Sequence, residues 1–126
     1  MTNRLRSYLK KILEEIAKLP VYFFRANDAA EYPYVVFSLE EYTSVDFVVR
    51  NYRLTIEIFS DGSPREALDA AEMIRYEFLH FYDRDADFTI AINPETPMSM
   101  TDDSEKSVSH VIGTYDIRLV ARKDEA

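Results

Sequence analysis

Few side chains in this sequence could do chemistry, and those few are poorly spaced for it. The chain has two histidines, His80 and His110, and no cysteine. A catalytic zinc site takes three protein ligands and keeps a fourth position open. Neither histidine has a second one four residues away, so carboxylates would have to complete such a site. Thiolate metal centres, disulfides and cysteine nucleophiles are excluded outright. The stretch DRDAD sets Asp83, Asp85 and Asp87 at the alternate positions that open a calcium loop. That loop needs glycine at its sixth position and a bidentate glutamate at its twelfth, where this chain has Phe88 and Pro94. A solvated acidic turn is the better reading. Glu40 and Glu41 are neighbours on an expected strand, so they leave on opposite faces and cannot flank one substrate bond. No serine sits in a nucleophile elbow, and Gly62 and Gly113 are too few for a phosphate-cradling loop. The chain reads as a non-enzyme with no cofactor and no metal.

Composition narrows the partners. The 126 residues carry a formal net charge of −8, which disfavours phosphate backbones and so argues against specific nucleic-acid binding. Arg4, Arg6, Lys10 and Lys11 are grouped near the start, and they read as a solvated helix face. Nine Tyr and eight Phe stand against no Trp. Such residues suit half-buried strands and also interfaces, where one end of the ring is dry and the other wet. The opening MTNRLRSYLKK has no apolar h-region, and no run reaches membrane-spanning length, so the expectation is a soluble intracellular protein without a membrane partner.

These residues must be positioned by a small set of elements. Leu5, Leu9, Ile12 and Ile16 recur at helical spacing, widened by Tyr8 and Leu13, and Pro20 ends the run. VYFF, Val21 to Phe24, is a short β-rich piece. Tyr34 to Tyr42 follows as a strand with Pro33 at its start. From Val48, Tyr52, Leu54, Ile56 and Ile58 alternate with Asn51, Arg53, Thr55 and Glu57, which predicts a strand with one dry face and one facing water or a partner. TSVD supplies the turn between these two strands. In SDGSPRE, Ser63 caps, Pro64 takes the first helical position and Glu66 completes a capping box. The second helix is expected to run to about Tyr82, burying Ala67, Ala71, Ile74, Phe78 and Phe81. Phe88 to Asn93 is a strand, and Pro94 to Lys106 a long loop with room for a short strand near Met98. Val108 to Arg122 alternates again. The expected fold is α+β in the order α-β-β-β-α-β-β, a mostly antiparallel sheet with two helices on one face, forming a single domain over residues 1–126.

In that order of elements the chain resembles the tail terminator, or tail completion, proteins of long-tailed bacteriophages and prophages. The resemblance is carried by the first amphipathic helix, VYFF, YPYVVFSLEE entering a strand, NYRLTIEIFSDGSPREA running into the second helix, and VIGTYDIRLVAR closing the domain. It implies a structural protein without catalytic residues that assembles as a ring, typically a hexamer, on the end of the tail tube. Such a ring stops tail growth and joins the tube to the head connector. Its partners would be further copies of itself, the tail tube protein and the connector. It would be found in the bacterial cytoplasm during assembly and at the virion tail end afterwards. Acidic character would suit a lumen through which DNA slides.

Position alone nominates contact segments. These are the turn Thr43, Ser44, Val45, Asp46 and Phe47, and the loop residues Met98, Met100, Asp102 and Asp103. Other readings stay open: another small head–tail joining protein, a non-phage α+β module binding a ligand or peptide, or a metal-assisted hydrolase using Asp83, Asp85 or His80.

Overall fold

The computed structural model describes residues 2–44, 48–61, 63–103 and 108–122. Helix α1 spans Thr2–Ala17 and buries Leu5, Leu9, Leu13 and Ala17, with Tyr8, Ile12 and Ile16 half-buried beside them. The row that points at the sheet is therefore the strict four-residue repeat, while Ile16 turns toward the second helix. Lys18, at φ 56°, closes α1, its N–H donating to the Glu14 carbonyl at 2.9 Å. A residue in the left-handed region after the last turn is a common helix stop.

The remaining elements are β1 (Val21–Phe23), β2 (Tyr34–Ser44), β3 (Val49–Asp61), α2 (Arg65–Glu77), β4 (Phe81–Arg84), β5 (Phe88–Pro94), β6 (Ser99–Asp103) and β7 (Val108–Ala121). The result is the expected α+β fold, a mostly antiparallel sheet of seven strands with both helices on one face. Two short strands, β4 and β6, flank β5. Strand order is β1-β2-β3-β7-β5-β4, with β6 also paired to β7. β1 runs parallel to β2, Val21 opposite Val35; every other pairing among the described residues is antiparallel.

The long β3–β7 ladder is the axis of the sheet. Its register runs unbroken from Val49 opposite Val120 to Asp61 opposite Val108. β5 and β6 share the other edge of β7. Pro94 lies opposite Tyr115 and Ser99 opposite Ile112, so the segment 95–98 bulges out where β7 continues straight. Pro94 and Pro97 suit a place where ladder hydrogen bonds lapse.

α2 ends at Glu77, five residues before the expected Tyr82. His80 adopts φ 58° and turns the chain back, so Phe81–Arg84 pairs with β5, Phe81 opposite Ile92. Aromatic residues are mediocre helix formers and good strand formers, and an edge pairing was on offer. At the other end Pro64, at φ −74°, is the N-cap residue and the helix starts one residue later than expected. Ser63 Oγ accepts from the Arg65 N–H at 3.2 Å.

The core lies between the helices and the sheet. Tyr52, Leu54, Ile56 and Ile58 of β3, Val111, Tyr115, Ile117 and Leu119 of β7, and Phe88, Ile90 and Ile92 of β5 are all buried. Ala67, Ala71, Ile74 and Phe78 meet them from α2, and Phe81 is half-buried against the same cluster. Gly113 makes room for the Tyr115 ring, whose Cε1 would lie 3.2 Å from an added Cβ. That ring packs edge-on against Phe78, centroids 5.5 Å apart. Burial pushes the Tyr115 phenol up to about 12, with Arg75 pulling weakly the other way.

Two outcomes follow from this core. Leu9→Ala, at a fully buried position facing the sheet, lowers stability by about 2–5 kcal/mol in urea unfolding. The raised phenol of Tyr115 favours the protonated side chain in the fold. Its contribution is complete below the ordinary tyrosine value of 10.0 and lost as pH rises through about 12. Thermal unfolding midpoints therefore fall across that window, and fall less in Tyr115→Phe.

Candidate functional site

Both helices cover the same face of the sheet, which leaves the other face open. Its residues are the second parity of each strand. At one end an aromatic ladder crosses four strands. Tyr22 of β1 meets Tyr34 of β2 edge-on at 5.8 Å. Tyr34 lies 5.3 Å from Phe59 of β3, and Phe59 stacks on His110 of β7 at 4.3 Å and 8°. Tyr32 stacks on Tyr34 at 5.3 Å from the loop before β2. Partial burial, then its neighbour Tyr32, raises the Tyr34 phenol. Beside the ladder, His110 Nε2 is 3.0 Å from Glu57 Oε1.

The other end of this face is charged. Arg53 lies opposite Glu40 on one side and Asp116 on the other. Its Nε donates to Glu95 Oε1 at 2.8 Å and its Nη1 to Glu40 Oε1 at 3.1 Å. The Glu95 bond is the main reason that the guanidinium is held above its ordinary value. β2 slips register between Glu41 and Thr43, and the extra residue, Tyr42, swings over this cluster. Its hydroxyl donates to Asp116, while Arg53 sits 5.6 Å from its ring centroid. A bulge that re-aims a side chain in this way follows a general rule for sheets. Between the two ends lies a belt of small hydroxyl residues, Ser38, Thr55 and Thr114, side by side across three strands.

The carboxylates that imitate half a calcium loop have a different use. Tyr8 of α1 donates to Asp83, while Arg4 Nε donates to Asp87 at 2.7 Å and Arg4 Nη2 to Asp85 at 3.1 Å. They anchor the start of α1 to the β4–β5 turn. Burial and the Asp83 bond together raise the Tyr8 phenol. His80 is exposed at the turn after α2. No group of three or more His, Asp or Glu side chains that could hold a metal ion occurs among the described residues. Glu40 and Glu41 face Arg53 and Tyr52 respectively, on opposite sides of the sheet.

The nominated contact residues are not brought together. Thr43 and Ser44 end β2 at the tip of the β2–β3 hairpin, where Thr43 Oγ1 accepts from Asn51 Nδ2 at 3.0 Å. Val45, Asp46 and Phe47 lie outside the described residues. Asp102 and Asp103 close β6 beside Ser109 and Val108, and Met100 on that strand is half-exposed. Met98 packs against the core instead of reaching outward. The register puts Thr43 and Ser44 beside Asn51 and Arg50, and Asp102 and Asp103 beside Ser109 and Val108, which pair with Ser60 and Asp61, roughly 30–37 Å away at about 3.4 Å per residue.

Two surfaces on the helical layer were not legible as sites. One is a groove of about 750 Å³ between the end of α1 and α2, lined by Ile16, Met73 and Tyr76. The other is a hollow of about 470 Å³ between α1 and β1, lined by Arg6, Lys10 and Arg25. Phe24, beside that hollow, is 72% exposed. It holds φ 73°, a region that costs a residue with a Cβ about 1–2 kcal/mol. Its N–H is fixed on the Phe37 carbonyl at 2.7 Å. The surplus of aromatics was the available signal, but rings on the surface and rings in the core look alike in a sequence.

The Asp116 bond is the main cause of the raised Tyr42 phenol. Ultraviolet difference titration is expected to show Tyr42 ionising above an ordinary tyrosine, and Asp116→Asn to return it toward the ordinary value. No helix is long and apolar enough to cross a membrane among the described residues. No protein-family model and no curated protein matches the chain.

Proposed function

We propose that this chain is a structural assembly protein of the phage tail terminator or tail completion kind, acting as a ring of identical subunits and not as an enzyme. The observation that carries the reading is the one-sided sheet. Seven strands are covered by helices on one face only, and the other face bears an aromatic ladder at one end and an ion-pair cluster at the other. Half-exposed rings and charges in fixed array suit contact with another protein surface. Among the described residues the outer edges of β1, β4 and β6 pair with no further strand, and they add backbone groups that a neighbour can pair with.

The axial arrangement also suits a joining piece. A ring seated between a tail tube and a head connector needs two separate ends, and among the described residues Thr43 and Ser44 lie toward one end of the β3–β7 ladder and Asp102 and Asp103 toward the other. In this reading one end meets the tube and stops its growth, and the other presents a new surface to the connector. The net charge of −8 keeps DNA from adhering as it passes. The protein works in the bacterial cytoplasm while tails are built and stays at the tail end of the virion.

The test is absolute mass by light scattering after size exclusion, over a range of concentration and salt. A species of about six times the chain mass, growing with concentration, is the expected result under closed cyclic assembly. A chain that stays monomeric up to millimolar concentration removes the ring reading.

A further inference from the structure

The two flanks of α1 differ in charge and in shape. Arg6 and Lys10 each follow a buried leucine by one position, whereas Ile12 and Ile16 each precede a buried residue. At about 100° per residue these pairs sit on opposite sides of the buried row. One side faces β1 and the other faces α2. We propose that these flanks are the two halves of the contact between successive copies of the chain, a proposal that rests on the ring reading above and names its lateral surfaces.

The α2 side is the groove lined by Ile16, Met73 and Tyr76. Four carboxylates, Glu15, Asp69, Glu72 and Glu77, line it against one cation, Lys18. None of the four has an ion-pair partner among the described residues. Tyr76 is 77% exposed, and Met73 is half-exposed. The β1 side is the hollow lined by Arg6, Lys10 and Arg25 with no carboxylate. Arg6 lies over the Phe23 ring, Lys10 reaches Glu14 only at 4.0 Å, and Arg25 has no ion-pair partner among the described residues. Next to Arg25 the exposed Phe24 stands outward as an apolar knob.

Each half supplies what the other lacks. The groove offers exposed apolar side chains among four carboxylates, and the hollow offers an exposed aromatic ring beside three cations. A subunit cannot fill its own groove, because α1 stands between the two surfaces. The contact is therefore head to tail, which closes into a ring when the rotation allows. In a chain with net charge −8, copies repel at long range, and a local match of opposite patches sets the register in which they meet.

A charge-swap experiment on the full chain tests this, read by sedimentation velocity and light scattering. The groove-reversed variant is Glu72→Lys with Glu77→Lys, and the hollow-reversed variant is Lys10→Glu with Arg25→Glu. All four positions are exposed, and circular dichroism confirms that each variant is folded. Each reversal alone weakens self-association by about tenfold or more, and the fourfold variant recovers it, as matched charge pairs across an interface do. Phe24→Ala also weakens association, by a factor that salt leaves unchanged. If the wild-type chain assembles and neither reversal weakens it, this contact is wrong while the ring reading stands, and the groove belongs to another, basic partner. If reversals weaken assembly and the fourfold variant does not recover it, the pairing of these two surfaces is wrong. A wild-type chain that never assembles overturns both.

Discussion

The rest of the structure depends on the pairing of β3 with β7. Thirteen residues of one strand meet thirteen of the other without a slip, Val49 to Asp61 against Val120 to Val108. Because side chains alternate on both strands, that one register decides the face of every residue on them. A one-residue slip of β3 would send Leu54 and Ile56 to solvent and bring Arg53 and Glu57 into the core, and a slip of β7 would do the same with Tyr115, Ile117 and Asp116. Burying unpaired charge at such positions is prohibitive, so the register is fixed by burial and not by the turns. The neighbouring strands inherit it, β2 through β3, and β5 and β6 through β7.

With the dry face defined, both helices of the described residues cover it and neither lies on the other side. This asymmetry accounts for the character of the open face. An uncovered seven-stranded sheet would be an aggregation hazard if it were apolar. Here it carries hydroxyls, ion pairs and rings whose edges are wet. Exposed ion pairs such as Arg53 with Glu40 contribute little to stability, so their value lies in a fixed pattern of charge. The bulge at Tyr42 serves the same end by bending one more ring into the cluster. On the helical side, α1 is the shared wall between a negative groove and a positive hollow, and its attachment by Arg4 and Tyr8 to the β4–β5 turn holds that wall in place.

The acidic run Asp83, Asp85 and Asp87 shows how a spacing can suggest one chemistry and perform another. Alternation on an edge strand and its turn places carboxylates toward α1, where a guanidinium and a phenol use them as anchors. The long loop after β5 is similar. Its prolines read as a break, yet residues 95–98 form a bulge, after which β6 resumes the same edge of β7. Arg75 of α2 fastens that bulge through the Thr96 carbonyl at 3.1 Å.

The sequence by itself determined the α+β class, the first helix, the faces of β3 and β7 and the single core, because each is written in local periodicity and burial follows period directly. It also determined that Glu40 and Glu41 part company. Tertiary structure decided what periodicity does not encode. The end of α2 and the existence of β4 turned on whether β5 offered an edge to Phe81–Arg84. The parallel pairing of β1 turned on partners fourteen residues away, Val21 opposite Val35. The aromatic ladder, the Arg53 cluster and the two flanks of α1 are assembled from residues far apart in the chain, and only the strand order brings them together. A sequence shows which residues share a face within one element; which elements share a surface is settled by how backbone edges and apolar faces find partners across the whole chain.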